Sequence, residues 1–132
     1  MKLEVIVSQP EQGRSGSWSG NVSLSIMGDE RQNPSHTTGA SAVMAPPAQV
    51  LAALTACASA CGWPPLETMV LRGGSTNWRI GGTIENISDG EQILQTKIIP
   101  TLSSHGLDSI VTSLKLCAKR TLHTAPPKPK PR

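Results

Sequence analysis

The chain has 132 residues, 37% of them hydrophobic, with three Trp, no Phe and no Tyr, which suits one domain with an aliphatic core and is too short for two. Its formal net charge is +3, and Lys128, Lys130 and Arg132 at the C-terminal end account for all of that excess, so the basic balance does not point to a nucleic-acid-binding face on the domain itself. No run of about 18 apolar residues occurs, which excludes a membrane-spanning helix.

The first eight residues (MKLEVIVS) hold one Lys and an early Glu4. They read as a strand over 2–8 with Leu3, Val5 and Val7 on one side, not as a signal or transit peptide. The expected compartment is therefore cytoplasmic, or the mitochondrial matrix if a presequence has been removed. Pro10, Gly13 and Gly16 turn the chain. Residues 17–27 alternate well and complete a hairpin whose other face is wet. Residues 28–44, rich in Gly, Ser, Thr and Asn, predict a long loop.

Ala45-Pro46-Pro47 then opens an Ala-rich helix over 47–61, closed by Gly62 and Pro64-Pro65 and apolar almost all round, so it is expected to be buried. Strands are predicted over 66–72, over 76–87 with an interruption at Gly81-Gly82, and over 91–99 up to Pro100. A second helix is predicted over 107–121, with Leu107, Ile110, Val111, Leu114, Cys117 and Thr121 on one face. Residues 125–132 (APPKPKPR) form an extended, polyproline-like tail. The domain thus spans 1–124 and the basic tail 125–132.

Three Cys is an odd number for a disulfide scaffold, so reduced thiols are expected. Cys57 shares a helical stripe with Val50, Leu51, Leu54, Ala58 and Cys61, and Cys117 lies on the apolar stripe of the second helix. One reading of both is a small buried hydrophobe. The other is redox chemistry. If the two helices pack on one sheet and bring the sulfurs together, one thiolate can attack a peroxide O–O bond and the other can resolve the sulfenic acid to a disulfide. That requires a cation or donor beside the thiolate, and Cα atoms within about 7 Å. Cys61, one turn past Cys57, is expected to be packing only. Cys57, Cys61 and Cys117 with His105 or His123 would offer metal ligands, but Cys at i and i+4 on a helix is not a zinc-knuckle spacing. No metal and no cofactor are expected, and His36, His105 and His123 read as surface residues. No GxSxG, P-loop or GxGxxG opens a helix.

The stretch Ala45-Pro46-Pro47-Ala48-Gln49-Val50-Leu51-Ala52-Ala53-Leu54-Thr55-Ala56-Cys57 resembles the first cysteine motif of the OsmC/Ohr family, and Ser113-Leu114-Lys115-Leu116-Cys117-Ala118-Lys119 resembles the second. The resemblance covers roughly residues 2–123. It implies an α+β fold in which an antiparallel sheet holds a long buried central helix and a second, Cys-bearing helix, assembled as an intertwined homodimer. It also implies an antioxidant peroxidase acting on organic hydroperoxides, with Cys57 as nucleophile, Cys117 as resolver and a dithiol such as lipoyl protein or thioredoxin as reductant.

The family's peroxidases carry a Glu after the helix-opening Pro, where this chain has Pro47-Ala48. They also use an N-terminal Arg, for which Arg14 and Arg31 are the only candidates and neither lies in a matching motif. The family's last strand is replaced here by the tail. These departures carry a second reading: a non-catalytic OsmC-like subunit of a larger assembly, such as a ribonucleoprotein, with Lys128, Lys130 and Arg132 contacting protein or RNA phosphates.

Overall fold

The computed structural model describes residues 1–28 and 36–121. Arg31, His123 and the tail with Lys128, Lys130 and Arg132 lie outside the described residues.

The centre of the fold is β1 (Lys2–Ser8). Its apolar residues alternate, and so do their partners on both sides. Val5 stands opposite Leu24 of β3 (Trp18–Met27) and Ile80 of β6 (Thr76–Thr83), and Val7 stands opposite Val22 and Trp78. Because cross-strand partners point the same way, three strands contribute one continuous apolar face, and all of these side chains are buried. A two-residue strand, β2 (Glu11–Gln12), pairs with the start of β3.

β4 (His36–Val43) also pairs with β3, over the same residues that β1 uses, and so lies on its other side. β5 (Glu67–Val70) pairs with β6. The sheet therefore runs β4–β3–β1–β6–β5, antiparallel throughout, with β4 and β5 as its edges.

Helix α1 (Pro47–Cys61) crosses from the β4 edge to the β5 edge and packs on β6. Pro47 occupies its first turn, where a missing N–H costs nothing. Gly62 ends it in the left-handed conformation (φ 68°), with Gly62 N–H donating to Ser59 O and Trp63 N–H to Ala58 O, the two bonds of a Schellman motif. Helix α4 (Asp108–Thr121) lies over β3 and β4 and buries Ile110, Leu114 and Cys117. The chain is α+β, an antiparallel sheet with helices over its apolar face. Among the described residues, no helix is long and apolar enough to cross a membrane.

Three elements differ from expectation. Residues 36–43, predicted as loop, form β4. Their polar side chains hide the strand, but the ladder to β3 satisfies the backbone, and Ser113 of α4 donates to Ser41 O while Thr121 donates to Thr38 Oγ1. The strand predicted over 76–87 runs through Gly81-Gly82 and ends at Thr83.

The strand predicted over 91–99 is helical, so two strands rather than three lie between α1 and α4. Helix α2 (Ile87–Ile93), a π-turn (Leu94–Ile98) and α3 (Ile99–Ser104) are continuous. Asn86 caps the start by accepting from Asp89 N–H. Gly90, Leu94, Ile98 and Leu102 are buried while Gln92, Thr96 and Pro100 between them are exposed, which a helix satisfies and a strand does not. Pro100 lacks the N–H for an α-helical bond and its ring crowds the preceding turn. The wider π-turn just before it, with Ile99 N–H bonded to Leu94 O, relieves both.

The helical spacing predicts that Leu94→Ala costs about 2–5 kcal/mol while Thr96→Ala stays within about 0.5 kcal/mol, as read by urea denaturation. A strand would place 94 and 96 on one face and make the two losses similar.

Candidate functional site

Cys57 is 0% exposed, and its thiol donates to Ile98 O at 3.7 Å, in the contact between α1 and the π-turn. Burial pushes its pKa from 9.0 to about 12, and the neighbouring Cys61 adds to the rise. Cys117 is also 0% exposed. Its thiol donates to Val22 O at 3.7 Å, in the contact between α4 and β3. Burial pushes that pKa up, with Arg120 and the backbone of Leu24 opposing. The two thiols thus sit in separate packing contacts, each with its own carbonyl acceptor, and all three cysteines are free.

Cys61, expected only to pack, is the half-buried thiol of the three. Burial raises its pKa to about 11, and the Lys97 ammonium draws it back in part. The same ammonium caps α1 by donating to Ala60 O at 3.4 Å. The Nδ1 of His105 lies 2.9 Å from Thr101 O, one turn back on its own chain. Among the described residues, no three His, Cys, Asp or Glu side chains gather as a metal site.

Cys61 lines an open cleft of about 570 Å³ at the junction of α1, β6 and β5. The cleft exists because β5 is short. Its ladder with β6 begins at Glu67↔Arg79, while β6 continues to Thr83 and pairs on its other side with β1 as far as Lys2↔Thr83. Pro64 and Pro65 precede β5, and two residues without an N–H cannot extend that ladder. Among the described residues, no strand covers the outer edge of Ile80–Thr83.

Two glycines shape this edge. A Cβ on Gly81 would meet Leu3 O at 2.6 Å, and the space of a Cβ on Gly82 is filled by the Trp63 indole, aimed there by the Schellman turn.

The cleft's charges come from the polar side of the sheet. Glu4 is 6% exposed and pairs with Lys2 Nζ at 3.5 Å and Arg79 Nε at 3.7 Å. Arg79 also donates from Nη2 to Glu67 Oε1 at 3.1 Å. Its Nε is buried and finds no hydrogen-bond acceptor, because 3.7 Å is an ionic contact but too long for a hydrogen bond. The lining is near neutral, with Lys2 and Arg79 set against Glu4 and Glu67.

Sequence reasoning missed Glu4, Arg79 and Trp63. Alternation places Glu4 and Arg79 opposite the core face, but no local signal shows that one shields the other. Comparison with known proteins returns no matching family model, no matching curated protein and no matching solved structure.

In the native protein, a thiol-specific reagent is expected to modify Cys61 first, though more slowly than a free thiol because its pKa is raised, and Cys57 and Cys117 only after denaturant is added. Cys61→Ser should remove this first phase. Since folding raises the Cys57 pKa, its contribution to stability is complete below the ordinary value of 9.0 and is lost as pH rises towards about 12. Urea midpoints should therefore fall between those limits.

Proposed function

We propose that this chain is a non-catalytic α+β binding module of a larger assembly, built on an OsmC-like plan, which takes an extended segment of a partner protein at the cleft beside β6. The observation that carries this reading is the buried Arg79 Nε, a donor without a hydrogen-bond acceptor, on the residue just before the uncovered stretch of β6. Its contact with Glu4 is ionic only, so a carbonyl supplied by a ligand would add the hydrogen bond that this donor lacks.

The surroundings fit a peptide. The outer edge of Ile80–Thr83 offers backbone groups for strand addition, with the Trp63 indole filling the side-chain space at Gly82. Trp63 and Pro64-Pro65 provide apolar walls. The balanced charge suits a peptide backbone better than a phosphate, which needs a cationic surplus. The volume falls within the range of small-ligand sites, about 300–1,000 Å³, and accommodates a few residues of chain.

The OsmC-like plan is supported by the order of elements: a hairpin, the apolar helix α1, further strands and a Cys-bearing helix. The peroxidase role that the resemblance implies has less support. A peroxidatic thiol must reach substrate and ionise near neutral pH. Cys57 is sealed beneath the π-turn with its pKa raised to about 12, and no cation opposes that rise.

Two measurements test the proposal. Hydroperoxide consumption with a dithiol donor should not exceed that of free cysteine, and turnover abolished by Cys57→Ser would restore the peroxidase. Selection from a displayed peptide library should enrich extended sequences that bind this cleft. Arg79→Lys keeps a cation beside Glu4 but removes the Nε donor, and should weaken that binding about tenfold. If no peptide is enriched, or if Arg79→Lys binds unchanged, the module does not work this way.

A further inference from the structure

A second groove, about 570 Å³ in volume, lies at the end of the sheet where β1 stops and β6 begins. A fault in the β1–β3 pairing opens it. After Val7↔Val22, three residues (Ser8, Gln9 and Pro10) stand against two (Gly20 and Asn21) before pairing resumes at Glu11↔Ser19. This is a β-bulge, a feature over-represented beside active sites. Pro10 has no N–H with which to continue the ladder. Ser8 Oγ accepts from Asn21 N–H at 2.8 Å, in place of a main-chain carbonyl. A Cβ on Gly20 would crowd that Oγ at 2.7 Å. The opposite wall is the β5–β6 turn, closed by Leu71 N–H donating to Ser75 O at 2.7 Å, with Gly73 and Gly74 in the left-handed region. This turn holds Leu71, 43% exposed, at the rim of the groove.

The floor is a polar row that crosses four strands. Ser41 stands opposite Asn21, Asn21 beside Ser8, and Ser8 opposite Asn77. Their chain neighbours Val7, Val22 and Trp78 are buried in the core, so the row faces away from it. Strands lie about 4.8 Å apart, so the row offers polar groups at nearly the repeat of a β-linked pyranose chain. β1 and β3 are paired on both sides, and a ligand here meets side chains rather than a free strand edge. Among the described residues, Glu11 is the only charged side chain in the lining, which leaves no cation for a phosphate or sulfate. Gln9, Asn21 and Asn77 each carry an amide with donors and an acceptor side by side, the complement of two adjacent hydroxyls.

We propose that this groove binds a neutral, β-linked oligosaccharide. The amides of Gln9, Asn21 and Asn77 take its hydroxyls, the Glu11 carboxylate accepts from others, and Leu71 packs against the C–H face of a ring. The groove shares no residue with the cleft at the other end of β6, so this site does not depend on the peptide-binding reading.

The full chain, isotope-labelled in nitrogen, is titrated by NMR with cellotetraose and N-acetylchitotetraose as probes. Maltotetraose, which is α-linked and curved, and an acidic heparin tetrasaccharide serve as comparisons. At least one β-linked probe is expected to shift the side-chain amide signals of Asn21 and Asn77 saturably at millimolar concentration, and to bind more tightly than either comparison. Asn21→Ala and Asn77→Ala, both surface changes, should each weaken that probe about tenfold with an unchanged circular dichroism spectrum. The proposal is overturned if neither β-linked probe saturates, if the heparin fragment binds more tightly than both, if the shifts gather at Gly82 and Thr83 instead, or if both variants bind unchanged.

Discussion

One constraint organises the molecule: β1 is hydrogen-bonded on both sides, and its apolar face must be covered. Leu3, Val5 and Val7 are each fully or almost fully buried, and their partners on β3 and β6 repeat the alternation in register. A shift of one residue in either ladder would turn an apolar row to water and bring Glu4 into the core. The helices are the response to that face. α1 crosses it, the helical run from Ile87 to Ser104 fills in beside it, and α4 covers the β3–β4 side.

The same constraint explains the thiols. Residues that cover an aliphatic face are chosen for volume, and cysteine serves there as a small hydrophobe. Cys57 and Cys117 each surrender their single donor to a main-chain carbonyl, so neither the thiol nor the carbonyl is left unsatisfied in the core. Ionisation at either position would break that arrangement. Polar reactivity is displaced to the rim, where α1 ends. There the Schellman turn, Pro64-Pro65 and the unpaired end of β6 together form the cleft.

The polar side of the sheet is not inert. Glu4 stands on it and yet is buried, because Lys2 and Arg79 cover it. The Arg79–Glu67 pair is partly exposed and by itself is worth little. Its consequence is positional, since it draws the guanidinium across Glu4 and leaves Nε buried without an acceptor.

What the sequence determined by itself is whatever depends on neighbours along the chain. Helix α1 was legible from its prolines, its Ala content and its terminal glycine, and it spans 47–61 as read. The hairpin of β1 and β3 and helix α4 were legible from their periods. Tertiary structure decided the rest. Residues 36–43 carry no strong strand propensity and become a strand only because β3 offers a ladder and α4 covers their inner side. Residues 91–99 are rich in isoleucine and end before a proline, a local pattern that favours a strand. The helix wins once a core is present to receive Leu94 and Ile98, because it buries both while leaving Thr96 between them in solvent, as a strand could not. The cleft was not legible at all: Glu4, Trp63 and Arg79 are far apart in the chain, and only strand register, the αL turn at Gly62 and the premature end of β5 bring them together.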